Sequence, residues 1–185
     1  MNKTLLFCCI AVWCGCGSPP PFGKTLALHD EYFQGIATLE KVTQLNKYRL
    51  RIENSANGEN DRIFTPYEVF AMEAGDVNHD GRTDICLGIV KPTPFDPVPK
   101  KRLFIFQIDQ NYIRPLWLGS RLVHPLETFA VAHDSTGRVL IKTVERQNAT
   151  QYYVNEYRWE SFGMVFVREC RQGLPYDAAV ACLAQ

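Results

Sequence analysis

The chain predicts an all-β fold made of antiparallel, blade-like sheets in about three repeat units. Three observations carry that expectation. Aromatic residues make up 12% of the 185 positions, and 12 glycines and 11 prolines supply turns, a balance that favours strands over a helical bundle. Several short runs alternate apolar and polar residues or are β-branched and aromatic throughout. A weak internal repeat spaces similar segments 56 and 51 residues apart: Gly81-Arg82 against Gly137-Arg138, and Phe106–Asp109 against Tyr157–Glu160. That spacing is close to one propeller blade.

The elements follow in chain order. A first unit runs from about Leu26 to Thr65. Within it Ile36–Leu45 is expected to pair with Lys47–Glu53, where Tyr48, Leu50 and Ile52 face one way and charges the other, the period of a half-buried strand. Asn57-Gly58 is a tight-turn signal after it. Leu103-Phe104-Ile105-Phe106 is continuously apolar and suits a central strand. Arg138–Val144 and Tyr152–Trp159 are further strands bounded by turn residues. Short helices are expected only near Asp30–Phe33 and Asp177–Leu183. Lys91–Lys101 carries four prolines, which hold it extended and remove backbone donors. It reads either as a loop raised for a partner, with Phe95 on it, or as a stiff connector that blunts a sheet edge.

The N-terminus reads as an export signal. Lys3 precedes an apolar run, Thr4–Trp13, of ten residues, where a bilayer-spanning helix needs about 20. The run ends in Trp13-Cys14-Gly15-Cys16, which resembles a bacterial lipobox. The resemblance implies a signal peptide over 1–15, lipidation of Cys16, and attachment to the membrane through that lipid at the bacterial cell envelope. Trp13 stands where the lipobox usually has a Leu-like residue, and an ordinary cleaved secretory signal is the alternative. Residues 16–24 form a tether, 25–170 the β domain and 171–185 a C-terminal tail. Twenty basic residues balance twenty acidic ones, so no charge bias points to nucleic acid.

Beyond Cys16 three cysteines remain. Cys86 lies in an apolar run and is expected to be a buried free thiol. Cys170 and Cys182 are candidates for a disulfide that staples the tail.

The most informative stretch is Asp76-Val77-Asn78-His79-Asp80-Gly81-Arg82-Thr83-Asp84. Oxygen-bearing side chains stand at positions 1, 3, 5 and 9, with Gly at position 6 to turn the backbone, the spacing of a calcium loop. Asp76, Asp80 and Asp84 repel one another unless a cation lies among them. Arg82, at position 7, is placed to offer its carbonyl oxygen. Oxygen-only donors favour calcium over zinc or copper. Magnesium keeps its waters and fits crowded protein cages less well. An EF-hand needs Glu at position 12, where this chain has Leu87.

The segment Val69–Gly88 around this loop resembles an FG-GAP or VCBS repeat, the calcium-loop unit of integrin-type β-propellers. The resemblance implies an incomplete propeller-like fold, since about three units fit where a closed ring has four or more. It also implies calcium ligands at Asp76, Asn78, Asp80, Asp84 and the Arg82 carbonyl, and a binding or scaffolding role toward a protein or carbohydrate. In the second repeat copy Ala132, Thr136 and Leu140 replace the three aspartates, so a turn that kept its shape without a metal is expected. The competing class is a calcium-dependent hydrolase or carbohydrate-active protein whose site gathers distant residues such as His29, Glu127 and His133. The pairs His29-Asp30 and His133-Asp134 read as turns or caps, and His79 as solvent-exposed.

Overall fold

The structure is a computed structural model that describes residues 23–94, 96–119 and 122–184. The export signal, Cys16 and most of the tether lie outside the described residues, as does Phe95. Among the described residues twelve strands form three four-stranded antiparallel sheets, each a simple meander. Sheet 1 holds β1 (Gly23–His29), β2 (Gln34–Val42), β3 (Lys47–Asn54) and β4 (Asn60–Thr65). Sheet 2 holds β5 (Glu68–Gly75), β6 (Asp84–Thr93), β7 (Asp96–Asp109) and β8 (Tyr112–Trp117). Sheet 3 holds β9 (Leu126–His133), β10 (Val139–Arg146), β11 (Tyr152–Glu160) and β12 (Gly163–Leu174). Among the described residues none closes on itself, so the fold is all-β and incomplete propeller-like, of three units. Sheet structure extends past the 25–170 span at both ends. No helix among the described residues is long and apolar enough to cross a membrane.

The alternation in Lys47–Glu53 sets sheet 1. Leu50 pairs with Leu39, Ile52 with Ala37, and all four are buried. Their outward neighbours carry charge: Arg49 reaches Glu40 at 2.7 Å and Arg51 reaches Glu53 at 2.7 Å. Sheet 2 lies in the middle and is buried on both faces. Phe104 and Phe106 join the cluster shared with sheet 1, while Leu103 and Ile105 join the one shared with sheet 3. This explains why Leu103–Phe106 is apolar without alternation. Cys86 is buried among the sheet 2–sheet 3 contacts and its thiol is free, as expected.

Sheet 3 is covered on its outer side by α1 (Tyr176–Ala181), whose Ala179 packs against Val144 and Val154. The two end faces of the stack are therefore a charged surface and a helix-capped one. Polar or covered ends are what terminate a stack of repeats.

Three expectations need correcting. Asp30–Phe33 is a turn, not a helix. The proline-rich segment, expected as a raised loop or a stiff connector, is a hairpin arm: β6 runs to Thr93, β7 starts at Asp96, and Lys91 pairs with Lys100. Cys170 and Cys182 are not bridged. Both pack near α1, but the Cys170 thiol is hydrogen-bonded to Glu156, and Cys182 Sγ donates to the Ala178 carbonyl at 3.3 Å.

Glu156 is itself a buried acid held by two cations, Arg168 at 2.6 Å and Lys142 at 3.9 Å. The Arg168 hydrogen bonds hold its carboxyl below the ordinary range, against the opposing effect of burial. A carboxyl whose pKa is depressed on folding adds stability above its unfolded pKa and loses it as pH falls through the folded one. Glu156→Gln is expected to lower stability at pH 7 by about 1–2 kcal/mol. It should also flatten the loss of stability below pH 4.5. Urea midpoints at pH 7 and pH 3 measure this, and a variant equal to the parent at pH 7 would refute it.

Candidate metal centre

The loop from Asp76 to Thr83 joins β5 to β6, the first hairpin of sheet 2. Gly75 pairs with Asp84 across its base. Its side chains fold inward onto its own backbone. Asp76 Oδ1 accepts from Asp80 N–H and Oδ2 from Gly81 N–H, both at 3.0 Å. Asn78 Oδ1 accepts from Asp80 N–H at 3.1 Å, and Asp80 Oδ1 from Arg82 N–H at 2.9 Å. Asp84 Oδ2 accepts from Val77 N–H at 3.0 Å and from Asn78 N–H at 3.4 Å. Gly81 has φ +84°, the left-handed region that glycine enters without strain.

Asp84 is the unusual member. It is fully buried, and its Oδ1 has no hydrogen-bond partner. Its carboxyl is pushed up to about 7, first by burial and then by the charges of Asp80 and Asp76, against the pull of the Val77 and Asn78 N–H groups. A buried carboxylate with an unsatisfied oxygen beside two like charges calls for a cation or a proton. Each oxygen already bonded to an N–H keeps a further lone pair for a metal. Among the described residues, however, no three His, Cys, Asp or Glu side chains are already drawn together tightly enough to hold a metal ion. Binding would have to pull Asp76, Asp80 and Asp84 further inward.

Arg82 turns its side chain away from the loop. Its guanidinium donates to Asp109 at 2.8 Å and lies 4.5 Å from the centre of the Tyr32 ring. His79 is exposed at the loop tip, as expected, with φ +61°.

One contributor was invisible to motif reading. Asp30, in the turn after β1, accepts from Tyr32 N–H and Phe33 N–H through Oδ1 and from Thr83 N–H through Oδ2, at 2.7–2.8 Å. Burial opposes its ionisation, but these N–H groups hold its carboxyl below the ordinary range. It ties sheet 1 to the end of the loop, one residue before Asp84. No local signal marks this contact, because 53 residues separate the partners.

The second repeat copy has the same shape in outline. Asp134 Oδ1 accepts from Thr136 N–H and Arg138 N–H, and Gly137 repeats the φ of Gly81 at +84°. His29-Asp30 and His133-Asp134 are thus turns, each capped by its aspartate.

The residues suggested for a hydrolase do not converge. Glu127 is held by Lys101 and Arg146. His133 lines a wide cleft of about 820 Å³ together with His79, Arg138, Arg158 and Trp159. His29 lines neither that cleft nor the cavity of about 330 Å³ beside the proline-rich arm. A separate buried polar cluster pins the segment before β9: Glu145 accepts from His124 N–H at 2.8 Å and from the Thr143 hydroxyl at 2.6 Å. Sequence reading missed it, since Thr143 and Glu145 occur in an ordinary strand pattern.

Comparison of the chain with protein-family models, with curated proteins and with solved structures finds no match.

Proposed function

We propose that this is a calcium-binding, lipid-anchored protein of the bacterial cell envelope with a binding or scaffolding role, related to the FG-GAP or VCBS calcium-loop repeats. The observation that carries the calcium reading is the buried Asp84 oxygen without a partner, next to Asp76 and Asp80. The ion would be held by Asp76, Asn78, Asp80, Asp84 and the Arg82 carbonyl, and its chemistry there is structural. It would offset two of the three carboxylate charges and fix the hairpin that Asp30 ties to sheet 1. Membrane attachment rests on the Gly15-Cys16 lipobox alone. A binding role is favoured over a hydrolase because His29, Glu127 and His133 stand in different surroundings.

Extracellular calcium modules bind at roughly 0.1–1 mM. At 10 mM calcium the folded state should therefore gain about 1.5–3 kcal/mol, a rise of several degrees in Tm. Asp80→Ala is expected to abolish the rise. Full retention by the variant would move the ligand set elsewhere, and an unmoved parent would remove the site. For the anchor, Cys16→Ser should shift the protein from the detergent phase to the aqueous phase; equal partitioning of variant and parent would discard the lipid.

A further inference from the structure

Between sheets 1 and 2 lies an apolar cavity of about 300 Å³. That is the small end of the range for ligand pockets. Leu39, Leu50 and Ile63 form one wall and Leu87, Phe104 and Phe106 the other. Of all its lining side chains only Thr65, Tyr67 and Lys91 carry polar atoms. One lining residue, Leu118, is a large apolar side chain left 62% exposed.

Lys91 decides the chemistry. Its Nζ lies 5.3 Å from the ring centres of both Tyr67 and Phe104. It makes no ion pair among the described residues, although the neighbouring cations Lys100, Lys101 and Arg102 all do. Two ring faces hold the ammonium in place but leave its N–H donors without an anion. An apolar cavity with one fixed, unneutralised cation suits a small monoanion with an apolar body.

We propose that this cavity binds a small apolar carboxylate, its hydrocarbon part between Leu50 and Phe104 and its carboxylate on Lys91. The site is independent of the acidic loop, so it stands or falls separately from calcium binding.

Titration calorimetry with three eight-carbon probes below their micelle concentrations tests it: octanoate, octanol and octyltrimethylammonium. Octanoate is expected to bind one to one, with octanol about tenfold weaker, the loss of one charge-assisted contact, and octyltrimethylammonium weaker again. Lys91→Met should bring octanoate down to the level of octanol. Lys91→Glu should reverse the order of octanoate and octyltrimethylammonium. Circular dichroism checks that each variant folds, and if the Glu variant does not, the Met variant decides. The same affinities should appear in EDTA and in calcium. Equal binding of octanoate and octanol by the parent, no binding of octanoate, or unchanged octanoate affinity in folded Lys91→Met overturns the proposal.

Discussion

Replacing Gly35 by alanine is expected to destabilise the protein by about 3 kcal/mol and to lower Tm by roughly 6–12 °C. A Cβ on Gly35 would stand 2.0 Å from the Glu53 carbonyl oxygen and 3.0 Å from the Phe33 ring. The first of these is backbone of the paired strand β3, which cannot rotate aside. β2 and β3 would have to separate where Gly35 faces Asn54. The consequence is not confined to sheet 1. Phe33 is buried in the cluster shared with sheet 2, and Asp30 in the same turn holds Thr83 N–H. The substitution should therefore also weaken any calcium response of the kind proposed for the loop. Gly58→Ala is the control. Gly58 has φ +70° but nothing within 4 Å of a new Cβ, so only the backbone term of about 1 kcal/mol applies. Denaturant midpoints compare the two, and equal losses would mean that the close approach of the strands does not matter.

Much of this architecture is written locally. The alternation of Tyr48, Leu50 and Ile52 marks a strand with one buried face. The unbroken Leu103–Phe106 marks one buried on both, and the φ of Gly81 and Gly137 follows from the turn each must make. The apolar tail after Tyr176 forms its helix because Ala179 can sit on Val144 and Val154. Failures came where a local signal has two outcomes or where the partner is distant. Asp30 accepts the N–H groups of the two and three residues after it, which is also how a helix N-cap behaves. The sequence signal is the same whether or not a helix follows. Proline removes ladder donors and so suggests a loop, yet the arm pairs through Lys91–Lys100 and Thr93–Asp96, and Pro97 and Pro99 are tolerated in its β7 strand because a hairpin edge needs few donors. The pairing of cysteines depends on side-chain direction, and here Glu156 and the Ala178 carbonyl take both thiols. The candidate site divides the same way. Its donors are legible from spacing, whereas the burial of Asp84 and the latch from Asp30 arise only when sheets 1 and 2 meet.

Asp84→Asn separates the two ways in which the buried carboxyl can be satisfied. Without calcium, the folded protein holds the Asp84 proton up to about pH 7, while the unfolded chain releases it near its ordinary value of 3.8. A carboxyl whose pKa is raised on folding favours the folded state only while protonated, so stability falls as pH rises from about 4 to 7 and levels off above. The penalty at pH 8 is on the order of 4 kcal/mol. The amide removes the charge but leaves an N–H to satisfy, at about 1–2 kcal/mol. Calcium-free Asp84→Asn is therefore expected to melt about 5 °C above the parent at pH 8 and a few degrees below it at pH 4, where the charge penalty has gone and the amide's remains. In 10 mM calcium the order should reverse or close at pH 8, because the ion stabilises only the chain that offers it the third carboxylate. Scanning calorimetry at the two pH values, with EDTA and with calcium, gives all four comparisons. A variant less stable than the parent at pH 8 in EDTA would mean that the carboxylate is well solvated or paired. Equal calcium shifts in parent and variant would mean that Asp84 is not a ligand, and the unpartnered oxygen would then belong to a protonated acid.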